Sequence, residues 1–422
     1  MPSNKHKWNF TAKFRSNLYD WRSSQKAIRN LKAAVKQIKD VAKRDHEVAG
    51  LGIVKLAERI WPAFQAIDTS SGSLGSAVRW ALEDELVPLM VSLEVGIEIR
   101  RNWMETLLNA IHEDGVDYLC PMRERWGDLC GFHELAGEWA DRTKPEILSV
   151  YAKQRITGEF NYTHLDTICF SCLLFVGRYD ELKELLNLKP HRSWYAEKYQ
   201  AMALVQQGRI NEAIDYAESR PEHSGDFVDP DIARFCEQTL LDAGRGKEAY
   251  QRYGIRCLEG STYLNQFRRI VRKYPMIERR KILEDLIQVS ASPSVWFSAS
   301  RQSGFLDLAL KCALSGRVNP STLISSSRDL IEDEPRFACQ VAMRALEHII
   351  AGDYYEVTLL EVVEAYGLAM RGAAVNHHEK ILIQNLNKWI ASAPRMDKMV
   401  RNQLQEMLSF SQSHQDPHPT KK

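Results

Sequence analysis

The residues of this chain best suited to chemistry include one close pair of cysteines. Cys169 and Cys172 read Cys-Phe-Ser-Cys, and on a helix two thiols three residues apart lie on one face. Such a pair can share a metal ion or form a redox couple. A redox motif of this kind expects a βαβ setting, and a structural zinc site expects a second close pair, which the sequence lacks. Because the flanking residues are apolar, core packing is the better interpretation.

Basic side chains near the start of the chain form the second candidate. Residues 1–44 contain twelve Lys or Arg against two Asp. From Trp21 onward, apolar residues at helical spacing predict an amphipathic helix. Its polar side carries the candidate partner-binding residues Arg22, Lys26, Arg29, Lys36 and Lys43. Such a helix suits nucleic acid, an acidic protein surface or a membrane surface, and the alternative is a solvated face without a partner.

A second basic group lies at 267–281, where the sequence reads FRRIVRKYPMIERRK. Its candidate partner-binding residues are Arg268, Arg269, Arg272 and Lys273. Basic residues interleaved with aromatic ones can hold phosphates and stack on bases. The alternative is a solvated helix face whose cations pair with neighbouring Asp and Glu.

Signatures of catalysis and of nucleotide binding are missing from the sequence. It contains no GxxxxGK[ST], GxGxxG, HExxH or GxSxG motif, so we predict no catalytic residue, metal or cofactor, and no small-molecule substrate. No apolar run approaches the ~20 residues that span a bilayer. The first fifteen residues lack the apolar stretch of a secretory signal, so the expected location is the cytoplasm.

The elements that position these residues are predicted to be helices throughout, because alternating β-branched runs are missing. Five glycines between helical stretches are spaced with a common period of about 36 residues. They are Gly177, Gly208, Gly244, Gly316 and Gly352, and four of them are followed by Arg. A period of this size predicts stacked helical hairpins, which form a long exposed surface rather than a catalytic pocket.

Three of these turns share more than the glycine. They read GRYDELKELL from Gly177, GRINEAIDYA from Gly208 and GRGKEAYQRY from Gly244. In each, glycine can end one helix in the left-handed conformation, and acidic or polar residues open the next helix. In the second and third turns a small residue, Ala213 or Ala249, follows at the place of a close helix contact.

This arrangement resembles the turn of tetratricopeptide repeats, whose second helix commonly starts G-x-x-x-E-A. The resemblance covers roughly residues 160–370 and only part of each unit. The first-helix pattern W-x-x-L-G-x-x-Y is missing, the turn at Gly316 reads GRVNPS, and no glycine occurs near residue 280, where one repeat is due. The resemblance implies an α-solenoid of stacked hairpins, and the family's peptide-binding residues are not carried over.

The sequence therefore predicts an all-α protein in three regions: a basic, Trp-rich helical region at 1–145, tetratricopeptide-like repeats at 146–408 and a disordered tail at 409–422. The first hypothesis for its function is a non-enzymatic scaffold that binds another protein. The alternative is a nucleic-acid-binding protein that uses the two basic groups. A third, an enzyme with an unfamiliar site, requires titratable groups that converge in a pocket.

Overall fold

The structure, a computed structural model, describes residues 6–159, 163–220, 229–256, 260–354, 357–375 and 377–413. These ranges contain helices, turns and connecting segments but no β-strand, which confirms the all-α prediction for them. The chain forms two compact units, Met1–Ile232 (unit 1) and Ala233–Lys422 (unit 2). None of the helices described combines the length and apolarity needed to cross a bilayer.

Unit 1 begins with a short 3-10 segment, Asn9–Lys13, and has a π-helical segment, Trp80–Leu86. Its α-helices are α1 (Ser24–Ala42), α2 (His46–Phe64), α3 (Ser73–Arg79), α4 (Val87–Ser92), α5 (Ile97–Glu113), α6 (Cys120–Glu124), α7 (Trp126–Cys130), α8 (His133–Thr157), α9 (Leu165–Phe175), α10 (Tyr179–Leu188), α11 (Trp194–Gln206) and α12 (Ile210–Glu218). The division between the units falls in the next helix, α13 (Pro230–Asp242). Residue 145, near which the sequence predicts a boundary, lies inside α8.

Unit 2 contains a π-helical segment, Tyr250–Gly254, and a 3-10 segment, Pro293–Trp296. Its α-helices after α13 are α14 (Gly246–Ala249), α15 (Tyr263–Lys273), α16 (Arg279–Val289), α17 (Phe297–Gln302), α18 (Leu306–Ser315), α19 (Pro320–Leu330), α20 (Pro335–Ala351), α21 (Leu359–Ala374), α22 (Glu379–Ser392) and α23 (Lys398–Ser413). Helix α23 includes 409–413, the first residues of the predicted tail, and 414–422 lie outside the described residues.

Aromatic side chains anchor the N-terminal segment of unit 1 to its core. Trp8, Phe10, Phe14 and Tyr19 are all buried. The rings of Phe14 and Tyr19 each lie 5.4 Å, centroid to centroid, from the ring of Phe64 in α2. The segment before α1, which has no clear sequence period, is therefore held in place by contacts with residues about fifty positions further along the chain.

Tryptophans of unit 1 also fill gaps left by glycines. An ideal Cβ added at Gly50 of α2 would lie 2.0 Å from the ring of Trp103 in α5. A Cβ at Gly52 would lie 2.4 Å from the ring of Trp8. These glycines lie in the interior of α2, where glycine disfavours helix, so their role is to admit the two rings.

At five of the described turns where a left-handed glycine ends a helix, the hydrogen bonding after the glycine is the same. In each turn the N–H of the next residue donates to a carbonyl five positions back, as from Arg178 to Leu173 at 2.9 Å. The five are Gly177, Gly208, Gly244, Gly304 and Gly352. Gly316 is a correction to the predicted series: it ends α18, but its φ of −176° is extended, and it lies against Ser294.

The arginine that follows three of these glycines forms an ion pair with the glutamate three residues on. The pairs are Arg178–Glu181, Arg209–Glu212 and Arg245–Glu248. Each arginine is the N-cap residue of the second helix, and each glutamate lies in its first turn, where the helix dipole favours a negative charge. The repeated Gly-Arg-x-x-Glu sequence therefore has a structural role at the start of these helices.

Contacts between alternate helices accompany these turns in both units. In unit 1, α9 packs on α10 across the turn at Gly177, and α9 also contacts α11. In unit 2, contacts of this kind join α15 to α17, α18 to α20, α19 to α21 and α21 to α23. Stacked hairpins produce contacts of this kind between neighbouring repeats.

Candidate functional site

The first basic helix, α1, packs on unit 1 by one side and presents its cations on the other. Leu31, Val35 and Ile38 are at most 2% exposed, and α1 contacts α2, α3 and the π-helical segment. The five residues singled out from the sequence, Arg22, Lys26, Arg29, Lys36 and Lys43, are all exposed. The amphipathic pattern therefore identified the solvent-facing side of this helix correctly.

Acidic residues neutralise only part of this cationic side. Lys43 Nζ lies 2.7 Å from Asp40 Oδ1, and Lys39 forms an ion pair with Glu85. The hydrogen bond from Lys43 is the main cause of the lowered pKa of Asp40. In the described part of the chain, Arg29 and Lys36 form no ion pair.

A groove of about 460 Å³ runs along α1 beside the helix that contains Trp80; we call it the Trp80 groove. Its apolar lining consists of buried or half-buried side chains and forms the floor: Val35, Ala42, Trp80, Leu89 and Leu93. Polar and charged side chains form its rim: Lys32, Lys36, Lys39, Asp40, Lys43, His46, Glu85 and Ser92. The ammonium of Lys32 lies 5.8 Å from the centroid of the Trp80 ring, a cation–π distance.

The π-helical segment positions the far wall of this groove. It joins α3 to α4 in one continuous helix from 73 to 92. In a regular α-helix, with about 100° per residue, Trp80 and Leu89 would point about 180° apart. Both line the groove, and the wider π turn between them supplies the needed change of register.

A second groove, of about 800 Å³, lies on the other side of α1. Asn9, Phe10 and Lys13 of the N-terminal segment line it together with Asn30 and Gln37 of α1. Lys36 and Asp40 line both grooves. The exposed cations of α1 thus lie between two grooves. The groove on one side has an apolar floor, and the groove on the other side is more polar.

The second basic group lies on α15 in unit 2. Phe267 and Ile270 are buried, whereas the four predicted residues Arg268, Arg269, Arg272 and Lys273 are exposed. A groove of about 640 Å³ is lined by Arg269, Arg272 and Lys273 with residues of α13. One of these, Glu237, has a carboxylate that is 2% exposed and forms an ion pair with Lys273. Lys273 therefore has a structural role that the sequence did not indicate.

At the end of the 267–281 group, the last two cations are paired with acidic side chains close by. Arg280 pairs with Glu284 and with Asp307, and Lys281 pairs with Asp285. These pairs are what a solvated helix face with neighbouring acids was expected to show. Within the described part of the 267–281 group, Arg268 and Arg272 of α15 are exposed and form no ion pair.

Both thiols of the Cys-x-x-Cys pair are buried in the core of unit 1, as their apolar neighbours predict. Burial raises the pKa of Cys169 to about 11, and its Sγ lies 3.7 Å from the carbonyl oxygen of Ala140. Burial also raises the pKa of Cys172, with a further contribution from Cys130, whose thiol it contacts. In the ranges described, no group of three His, Cys, Asp or Glu side chains is arranged to hold a metal ion.

One further cluster of titratable side chains lies in unit 1. Cys120 Sγ is 3.2 Å from Tyr195 Oη, and Lys198 Nζ is 2.7 Å from Glu124 Oε1. Burial raises the pKa of both Cys120 and Tyr195. Both groups are thus held protonated at neutral pH, whereas an activated nucleophile needs a lowered pKa or an adjacent base.

Sequence reasoning missed the Trp80 groove although it singled out Lys36 and Lys43, which line its rim. The far wall comes from a helix some forty residues later, whose π turn has no recognised sequence signal. No protein-family model matches the chain, and a search of curated protein sequences found no relative. Fold and surface together define an all-helical protein with a cationic first helix between two grooves.

Proposed function

We propose that this protein is a non-enzymatic scaffold of stacked, tetratricopeptide-like helical hairpins that binds another protein. The contacts between alternate helices within each unit support the stacking. The shared Gly-Arg-x-x-Glu turns support a repeated architecture. Proteins of this build offer extended surfaces to partners rather than enclosed catalytic pockets.

The observation that carries the proposal is the cationic side of α1. Arg29 and Lys36 are exposed and form no ion pair with described residues, while the other side of the helix is fixed in the core. A helix whose exposed cations outnumber the acidic residues beside them, between two grooves, favours an acidic protein surface by charge complementarity. Rim charges of this kind govern association rate and specificity more than affinity.

Affinity capture from native lysate, with nuclease added, tests this function. The bait is the full chain, compared with Arg29→Glu/Lys36→Glu and with the matched control Lys55→Glu/Lys153→Glu, which reverses two exposed charges elsewhere in unit 1. We expect a discrete protein that wild type and control retain and the α1 variant loses. A set of captured proteins identical for all three baits contradicts the proposal.

Nucleic-acid binding is the second candidate, and a specific observation favours it. Trp21 is 65% exposed and lies beside the exposed Arg22 at the start of α1. An exposed aromatic ring beside cations can stack on an unpaired base. Arg268 and Arg272 offer further exposed cations on α15.

Salt dependence separates this candidate from protein binding. If about four cations of α1 contact phosphates, affinity for duplex DNA should fall about a hundredfold between 50 and 200 mM salt. Fluorescence anisotropy with labelled single-stranded and duplex oligonucleotides measures this. Lack of binding at 50 mM salt removes the candidate.

A further inference from the structure

We infer that the Trp80 groove is a docking site for an acidic amphipathic helix of a partner protein. This inference rests on the proposed protein-binding function and specifies the chemistry of the partner. The occupant places apolar side chains on the floor between α1 and the Trp80-containing helix. Its carboxylates lie against Lys32 and Lys36 on the rim.

The floor has the shape and chemistry that an amphipathic helix requires. Val35 and Leu93 are 2% and 4% exposed and close the bottom, while Trp80 and Leu89 are half-buried and remain accessible from the groove. Helices that bind in grooves insert apolar residues spaced three, four and seven positions apart into such a surface. The aromatic ring of Trp80 is the anchor type that dominates interface energetics.

The rim specifies the charge of the occupant. Lys43 and Lys39 are already paired with Asp40 and Glu85, respectively, whereas Lys32 and Lys36 form no ion pair with any residue that the structure describes. The ammonium of Lys32 lies 5.8 Å from the centroid of the Trp80 ring. Two cations at one end of the groove therefore remain for carboxylates. A nucleic acid fits less well, because it carries a phosphate at every nucleotide and some of these would lie against Asp40 and Glu85, whereas a helix can carry its carboxylates opposite Lys32 and Lys36 alone.

The length of the groove sets the length of the occupant. The rim lysines run along α1 from Lys32 to Lys43, which is about 16 Å of helix. An occupant of about three helical turns covers this distance. A segment of this size is short enough to be disordered when free and to fold on binding.

The π-helical segment is an independent indication of function in this place. Such turns are rare and are found frequently at functional sites. Here the segment begins at Trp80 and contains Glu85, and it turns Trp80 and Leu89 toward the same groove. An ordinary α-helix of the same length would leave one of these two side chains on the opposite side.

Direct binding of a synthetic probe tests the inference. The probe is a fluorescein-labelled 16-residue peptide (about four turns) of Leu, Glu and Ala with its Leu residues on one helical face. A scrambled peptide of identical composition, a poly-Glu peptide and the oligonucleotide dT16 serve as comparison ligands. Anisotropy titrations use the full chain, Lys32→Glu/Lys36→Glu, Leu89→Gln and the control Lys55→Glu/Lys153→Glu, each with its circular dichroism spectrum.

We expect the amphipathic probe to bind about tenfold more tightly than the scrambled one. Lys32→Glu/Lys36→Glu should weaken probe binding about tenfold, and Leu89→Gln severalfold, while the control leaves it unchanged. The lysine variant changes only exposed side chains, so it keeps the test valid if Leu89→Gln is destabilised.

Four results overturn the inference. Equal binding of the amphipathic and scrambled peptides shows attraction by charge alone, and tighter binding of dT16 assigns the rim to nucleic acid. Self-association that disappears in the lysine variant, measured by sedimentation, assigns the groove to a second copy of the chain. A captured partner that depends on Lys36 while the probe fails to bind leaves the proposed function standing and removes only this inference.

Discussion

Replacement of Gly50 by alanine tests how unit 1 is packed. The added Cβ would lie 2.0, 2.2 and 2.5 Å from three ring atoms of Trp103, whereas carbon atoms in contact are normally about 3.5–4.0 Å apart. Trp103 is 1% exposed, so its ring is enclosed by the core. Helix α2 and helix α5 must therefore separate by about 1 Å or more, or the ring must leave its rotamer.

The expected loss of stability follows from two opposing contributions. Alanine is favoured over glycine inside a helix by about 1 kcal/mol. Overpacking of a rigid core costs about 1–3 kcal/mol, and more where the neighbour does not yield. Because three ring atoms overlap the new methyl group, we expect Gly50→Ala to lower the free energy of unfolding of unit 1 by about 2–4 kcal/mol.

Gly137 in α8 provides the matched control, because an added Cβ there meets nothing within 4 Å. Gly137→Ala should be neutral or stabilising by up to about 1 kcal/mol. Urea unfolding followed by tryptophan fluorescence measures both variants, and Trp103→Leu completes a double-mutant cycle in which Gly50→Ala should cost less. Equal stability of Gly50→Ala and Gly137→Ala would refute this account of the packing between α2 and α5.

Three further predictions concern ionisable groups. Hydrogen bonds from Arg178 and Lys144 lower the pKa of Glu181 to about 2, so its ion pairs stabilise the fold above about pH 4.5 and lose that effect as pH falls toward 2. In urea unfolding, Glu181→Gln should lower the free energy of unfolding by about 1 kcal/mol at pH 7 and by much less near pH 2. An equal loss at both pH values refutes this. The buried thiols of Cys169 and Cys172 should react with a water-soluble disulfide reagent only when the protein unfolds. Rapid labelling of either cysteine in the folded protein, located by mass spectrometry, contradicts that. Arg100 is 3% exposed and donates hydrogen bonds to the carbonyls of Met90 and Leu93 at 2.6 Å. Arg100→Met should lower the thermal midpoint, because the free energy of unfolding falls by about 2–4 kcal/mol. An unchanged midpoint excludes a stabilising role for these hydrogen bonds.

Local patterns predicted the features of this protein that depend on neighbouring residues. The apolar and cationic sides of α1 follow from a 3.6-residue repeat within nineteen residues. The left-handed glycines at 177, 208, 244 and 352 follow from glycine between helical stretches. The prediction of a left-handed glycine was wrong at Gly316, whose backbone is extended. This glycine lies against Ser294, some twenty positions earlier in the sequence, a contact that a local pattern does not show.

Contacts between distant segments could not be predicted in the same way. Trp103 fits over Gly50, and Lys273 pairs with Glu237, across more than thirty residues of sequence in each case. The Trp80 groove needs both the packing of α1 on a later helix and a π turn within that helix. Composition and periodicity carry no information on either, because many pairings of amphipathic helices satisfy the same pattern.

Site-specific photo-cross-linking tests the central claim most directly. A photoreactive amino acid replaces Lys36 on α1 in the full chain, and a second protein carries it at Lys153, which is exposed elsewhere in unit 1. After irradiation in cells and nuclease treatment, we expect a discrete protein adduct at position 36 and none at position 153. Adducts to nucleic acid alone at position 36, or the same protein adducts at both positions, would contradict the claim that α1 binds a protein partner.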